Sequence, residues 1–151
     1  MGQVSVLKDR DRSEPIQMPQ DGQTGDNMAA IICSDSIVAQ DLGDLVQAHL
    51  GARVAIFGDA GAGACFVRDS PGVNLMLLYM SRQEMDETTL FACDAQKCHV
   101  ILIAHRAPDG WIERGAGRHH FIHEPFNERM LQRALEEVRT DLDAAARPSS
   151  R

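Results

Sequence analysis

The sequence predicts an α/β protein, a three-layer (βα)5 sandwich built on a five-stranded parallel sheet. Three observations carry that expectation. Short apolar runs recur along the chain as Ala29–Cys33, Arg53–Phe57, Leu75–Tyr79 and His99–Ile103. Stretches of helical periodicity or of unclassified polar chain separate them. The runs are near-continuous in apolar residues, which is the pattern of strands buried on both faces rather than on one.

The elements follow in order. Ala29–Cys33 is the first strand. Ile37–Leu50 then carries Val38, Leu42, Leu45, Val46 and Leu50 on one stripe and stops at Gly51, a helix with its terminator. Arg53–Phe57 is the second strand. The segment Gly58-Asp-Ala-Gly-Ala-Gly-Ala64 follows it and faintly resembles a phosphate loop. It lacks both the Lys-Ser/Thr of a P-loop and the last glycine of a dinucleotide fingerprint, so it is read as the flexible start of a poor second helix. Leu75–Tyr79 and His99–Ile103 are the third and fourth strands, and His119–His123 is a shorter, more polar fifth. Asn127 can cap a long last helix with Leu131, Leu135, Val138 and Leu142 on one side.

Outside this region, residues 1–28 hold Lys8-Asp-Arg-Asp-Arg-Ser-Glu14, two prolines and a Gly/Gln/Asp cluster, with only Val4-Ser-Val-Leu7 able to bury a face. That composition predicts a disordered tail. The folded domain is expected over 29–143, with 144–151 a flexible end. No output domain is expected after the last helix.

Composition narrows the function. The formal net charge of −7 disfavours nucleic acid and anionic membrane surfaces as partners. No apolar run approaches the roughly 18 residues of a membrane span, and Met1–Gln23 is too mixed and charged for a secretory signal. Met1-Gly2 is followed by Val6 where a myristoylation signal wants Ser or Thr. Cys33, Cys65, Cys93 and Cys98 match neither zinc-pair nor C-x-x-C spacing, which fits reduced thiols in a cytoplasmic protein. His119, His120 and His123, with Cys98-His99 and His105, raise the question of zinc. On a strand, 119 and 123 share a face and 120 points away, so they are read as solvated or edge-strand histidines, and neither a metal nor a cofactor is expected.

In parallel sheets, function collects at the carboxyl ends of the strands. Here those ends are Ser34-Asp35, Tyr79, Ala104-His105 and His123-Glu124-Pro125-Phe126. Asp35, His105 and Glu124 would converge there as a hydrogen-bonded plug taking the Tyr79 hydroxyl, as a cation site, or as an acid–base pair.

Roughly residues 29–142 resemble the receiver domain of bacterial response regulators. The motif Gly115-Ala-Gly-Arg-His-His-Phe-Ile-His-Glu-Pro-Phe126 is similar to that family's Gly-Ala-x-x-Tyr-x-x-Lys-Pro-Phe. Met85-Asp86 is similar to the end of its Asp-x-x-Met-Pro-x-Met-Asp-Gly loop. The resemblance implies a flavodoxin-like fold, cytoplasmic signalling in a two-component system or phosphorelay, and protein partners such as a histidine kinase, a transcription regulator or a second copy of the chain. In that family an aspartate ending strand three accepts phosphate. An acidic pair after strand one holds Mg²⁺, a Ser/Thr ends strand four, and a Lys precedes the proline after strand five. Carried over, the acceptor position is Tyr79, the acidic pair Ser34-Asp35, the hydroxyl position Ala104 and the lysine position Glu124. Asp35 and Pro125 alone match. A phenol cannot form an acyl phosphate, and Glu124 places negative charge where metal and lysine would offset a phosphoryl group. The expectation is a stand-alone pseudo-receiver, not an enzyme, acting through protein–protein contact without phosphorylation. The alternative is a small-molecule or ion sensor in the same pocket. Trp111 and Phe121 are assigned to an interaction face, with core packing the competing role of each.

Overall fold

A computed structural model describes residues 7–8, 11–12, 27–79, 98–115 and 117–146. Five strands form one sheet: β1 (Met28–Cys33), β2 (Arg53–Phe57), β3 (Val73–Tyr79), β4 (His99–Ala104) and β5 (His119–His123). Their spatial order is β2-β1-β3-β4-β5, and every neighbouring pair is parallel. The helices are α1 (Ser36–Leu50), α2 (Ala60–Asp69), α3 (Trp111–Arg114) and α4 (Glu128–Ala146). This is the flavodoxin-like 2-1-3-4-5 order expected from the sequence.

The period-two alternation of the strands feeds two separate cores. Ala29, Ile31, Leu75, Leu77, Ile101 and Ile103 face α1 and α4, where Leu42, Val46, Leu131, Leu135 and Val138 close over them. Ala30, Ile32, Met76, Leu78, Val100 and Leu102 face the other way, toward Val67 of α2 and Trp111 of α3. Burial on both faces is why β1, β3 and β4 read as unbroken apolar runs.

Local chemistry sets the ends. Asp35 caps α1, its Oδ1 accepting from the backbone N–H groups of Ile37 (3.0 Å) and Val38 (3.1 Å). Gly51 ends that helix in the left-handed region at φ 62°, where a side chain would be strained. Asn127 caps α4 by accepting from the N–H of Met130 at 2.9 Å. The glycine-rich segment after β2 is helical, capped by Asp59, which accepts from Ala62 N–H at 2.8 Å. Its glycines serve packing as well: a Cβ on Gly63 would stand 2.4 Å from Ile32 Cδ1, so α2 lies closer to β1 than any other residue permits.

Both ends of the expected domain differ from expectation. Met28, placed in the tail, is the first residue of β1, and the adjoining Asn27 accepts from Asn74 Nδ2 at 2.8 Å and donates to Leu50 O at 3.2 Å. Helix α4 runs to Ala146, three residues into the expected flexible end. In the remaining amino-terminal stretch, Leu7–Lys8 pairs with Asp11–Arg12 in an antiparallel ladder; the rest of residues 1–26, and 147–151, lie outside the described residues.

Candidate functional site

The carboxyl edge of the sheet gathers the strand-end residues by topology alone. β3 is central, so Tyr79 leaves the sheet between the ends of β1 and β4, while the β5–α4 turn brings Glu124 across from the edge. Tyr79 Oη donates a hydrogen bond to Glu124 Oε2. His105 Nε2 stands 3.6 Å from the other carboxylate oxygen of Glu124, with 83% of the imidazole side chain exposed. Phe126 packs edge-on against the Tyr79 ring at 5.3 Å. The backbone joins the same ends, since Glu124 N–H donates to Ala104 O at 3.0 Å. Glu124–Pro125 is a cis peptide.

Electrostatics follows this geometry. The Tyr79 hydroxyl is pushed up to about 12, first by its hydrogen bond to Glu124, then by burial and by the negative charge of Glu124. Cys33 and Asp35 add smaller contributions in the same direction. The phenol therefore stays protonated and donates across the neutral range, which is what a carboxylate acceptor needs.

Of the six residues the sequence placed in this pocket, the structure joins Tyr79, His105 and Glu124 directly. Asp35 lies near enough to act on Tyr79 through its charge, yet one of its carboxylate oxygens is committed to capping α1. Ser34 is exposed and Ala104 is buried. Among the described residues, no group of three or more His, Cys, Asp or Glu side chains converges as a metal-binding set. Met85-Asp86 lies outside the described residues.

A second surface lies beside β5. A groove of about 730 Å³ runs between this edge strand and α4, lined among others by Ile112, Phe121, His123, Arg129, Met130 and Arg133. Phe121 is half-buried there. Trp111 is not on the surface: it is 1% exposed, its ring stacks on His119 at 4.0 Å, and Nε1–H donates to His120 O at 3.1 Å. The short α3 turns inward because the sheet edge needs an apolar cover there, so Trp111 is core and Ile112, 50% exposed, takes the outer position. Of the histidines expected to be solvated or on an edge strand, His119, His120 and His123 do lie on the edge strand β5, but two of the group are not solvated. His119 and His99 are buried at 5% and 6% exposure, His119 because α3 covers it and His99 because α4 does. Arg129 and Arg133 are exposed on the 128–142 helix face that the receiver resemblance assigns to partner contact, though neither stands out singly. Their i, i+4 spacing behind the Asn127 cap puts both on one helix face, a signal open to inspection.

No family model matches the chain, and no curated protein matches it. Solved structures do. A response regulator receiver domain protein (CheY-like) from Methanospirillum hungatei JF-1 superposes with a TM-score of 0.61 at 17% identity, covering 80% of this chain and 98% of its own. A receiver domain protein from Clostridium thermocellum gives 0.59 at 13% identity, covering 79% and 98%. A putative pilus assembly-related protein from Burkholderia pseudomallei K96243 gives 0.56 at 16% identity, covering 83% and 96%. With its 2-1-3-4-5 parallel sheet sandwiched between helices, the chain has the CheY-like fold of response regulator receiver domains.

Proposed function

We propose that this protein is a receiver-like signalling module that works through protein–protein contact and accepts no phosphoryl group. One observation carries the reading: where the receiver resemblance puts an acceptor aspartate and a lysine, Tyr79 and Glu124 are hydrogen-bonded to each other. The acceptor oxygen is a phenol held protonated, and the residue that would meet phosphate is an anion. Asp35, the remaining pocket carboxylate, is drawn into capping α1. With the site closed on itself, the groove beside β5 offers, among the described residues, a surface able to carry a signal. Arg129 and Arg133 stand one turn apart on its helical wall, and a like-charged i, i+4 pair costs a helix rather than supporting it. Their placement favours a partner that brings carboxylates, whether a kinase, a transcription regulator or a second copy. No helix among the described residues is long and apolar enough to cross a membrane, in keeping with a cytoplasmic role.

The test has two arms. Intact-mass measurement after acetyl phosphate and Mg²⁺ should find no strand-end adduct. Capture of partners from native lysate should be lost with Arg129→Glu/Arg133→Glu and retained with Tyr79→Phe. An acyl phosphate in the first arm, or undiminished capture in the second, would remove the reading.

A further inference from the structure

At the opposite end of the sheet from Tyr79, two imidazoles meet under the last turns of α4. His99 Nδ1 and His120 Nε2 are 3.3 Å apart, and their rings stack with 5.5 Å between centroids. The outward nitrogens each face a carboxylate from α4. His99 Nε2 is 3.8 Å from Asp141 Oδ2, and His120 Nδ1 is 3.5 Å from Glu137 Oε1. The imidazoles are shielded, 8% and 12% exposed, whereas Asp141 and Glu137 are 55% and 61% exposed. The four groups therefore form a line, carboxylate–imidazole–imidazole–carboxylate, that runs from helix to sheet and back.

Counting protons along this line shows which state matches its donors to its acceptors, while burial opposes taking up that charge. It has three contacts and four ring nitrogens, and carboxylates only accept. Two neutral imidazoles carry two N–H groups, so one contact always sets lone pair against lone pair. One added proton supplies the third N–H and satisfies all three contacts. A second added proton puts N–H against N–H at the central 3.3 Å contact and two positive charges side by side. The ring nitrogens stand 3.3 Å apart, too close for an ion on the line between them at about 2 Å from each, so the species that fits between the rings is a proton.

We propose that His99 and His120 are a proton-operated latch between α4 and the sheet. It takes one proton from solvent as the pH falls and opens when a second follows. The pair titrates as a unit, in two macroscopic steps. Burial is the largest influence on each imidazole and lowers both. For His99, His120 lowers further, Asp141 raises, and Arg118, just before β5, lowers. For His120, Glu137 and Asp141 raise and His119 on the opposite face of β5 lowers. Both folded values therefore lie below the ordinary imidazole value of about 6.5. Since the unfolded chain then binds more protons, stability contributed by the pair is present above that value and falls as pH drops through the folded ones. Glu137 and His120 also line the groove beside β5, so opening would disturb that surface. This last consequence rests on the groove being a docking site, whereas the latch itself is a property of the free protein.

Imidazole NMR shifts of the full chain, followed from pH 8 to 4, test the latch. The expected result is two linked steps seen at both His99 and His120. His120→Gln should collapse the His99 curve to a single step. Glu137→Gln and Asp141→Asn, at exposed carboxylates and hence compatible with folding, should each move the first step to lower pH. Should His120→Gln fail to fold, the two carboxylate variants decide the matter. A His99 curve unaltered by His120→Gln, or first steps unmoved by loss of both carboxylates, would overturn it, whatever binds the groove.

Discussion

Tyr79 is the only tyrosine in the chain, so its ionisation can be read directly as the rise in phenolate absorbance near the alkaline end of the pH scale. An isolated phenol titrates near 10; in the folded protein the value is about 12, raised chiefly by the hydrogen bond to Glu124. At pH 10.5 the folded protein should show about 3% phenolate, against about 75% for a tyrosine at the ordinary value. The sign of the linkage follows. A raised phenol stabilises the fold fully below the unfolded value of about 10, and that contribution is lost as pH rises toward the folded value of about 12. Two units would correspond to about 2.7 kcal/mol at most. Tyr79 is partly open to water, so screening reduces this to about 1–2 kcal/mol, overlapping the lower end of the range for a hydrogen bond to a charged group. Tyr79→Phe should cost the same about 1–2 kcal/mol at pH 7, a drop of roughly 4–8 °C in Tm for a domain of this size. The variant should also lose the wild type's extra decline in stability above pH 10. Glu124→Gln keeps an acceptor but removes the charge, so the phenol should move back toward 10. Spectrophotometric titration beside thermal denaturation from pH 7 to 11 provides both readouts. A wild-type phenol titrating at its ordinary value, with Tyr79→Phe as stable as wild type, would refute the plug.

Restoring only the acceptor should not restore phosphotransfer. Tyr79→Asp treated with acetyl phosphate and Mg²⁺ should stay unmodified by mass spectrometry, because Glu124 would oppose the incoming anion by about 4 kcal/mol at 4 Å and an effective dielectric near 20. Gly63→Ala should lose about 1–2 kcal/mol in urea denaturation despite the better helix propensity of alanine, since its Cβ meets Ile32 at 2.4 Å. Gly43→Ala makes the contrast: its Cβ would find Val54 at an ordinary 3.4 Å, so the same measurement should give an unchanged or slightly raised stability. Trp111→Ala should cost about 3–5 kcal/mol because the indole is core, where a surface contact residue would cost almost nothing.

What the sequence determined by itself was the order of elements and the sheet they build. Unbroken apolar runs such as Leu75–Leu78 can be satisfied only by burial on both sides, and the Asn127 and Gly51 signals act through backbone groups a few residues away. Local rules reach that far. The candidate plug was legible too, because strand ends in a parallel sheet converge whatever the side chains are, and a phenol beside a carboxylate has one good way to pair. The rest depended on distances between residues far apart in the chain. Trp111 and Ile112 are adjacent, and nothing in their spacing says which turns inward until β5 and its His119 supply the surface to be covered. The capping duty of Asp35 competes with any pocket role, and which prevails depends on how α1 sits on β1. The histidines show the limit most clearly. Alternation along β5 separates His119 from His120, but only the β4–β5 register and the overlying helix bring His120 to His99 and both to Glu137 and Asp141. Their burial and shared contacts arise from packing between elements, which no spacing within one element encodes.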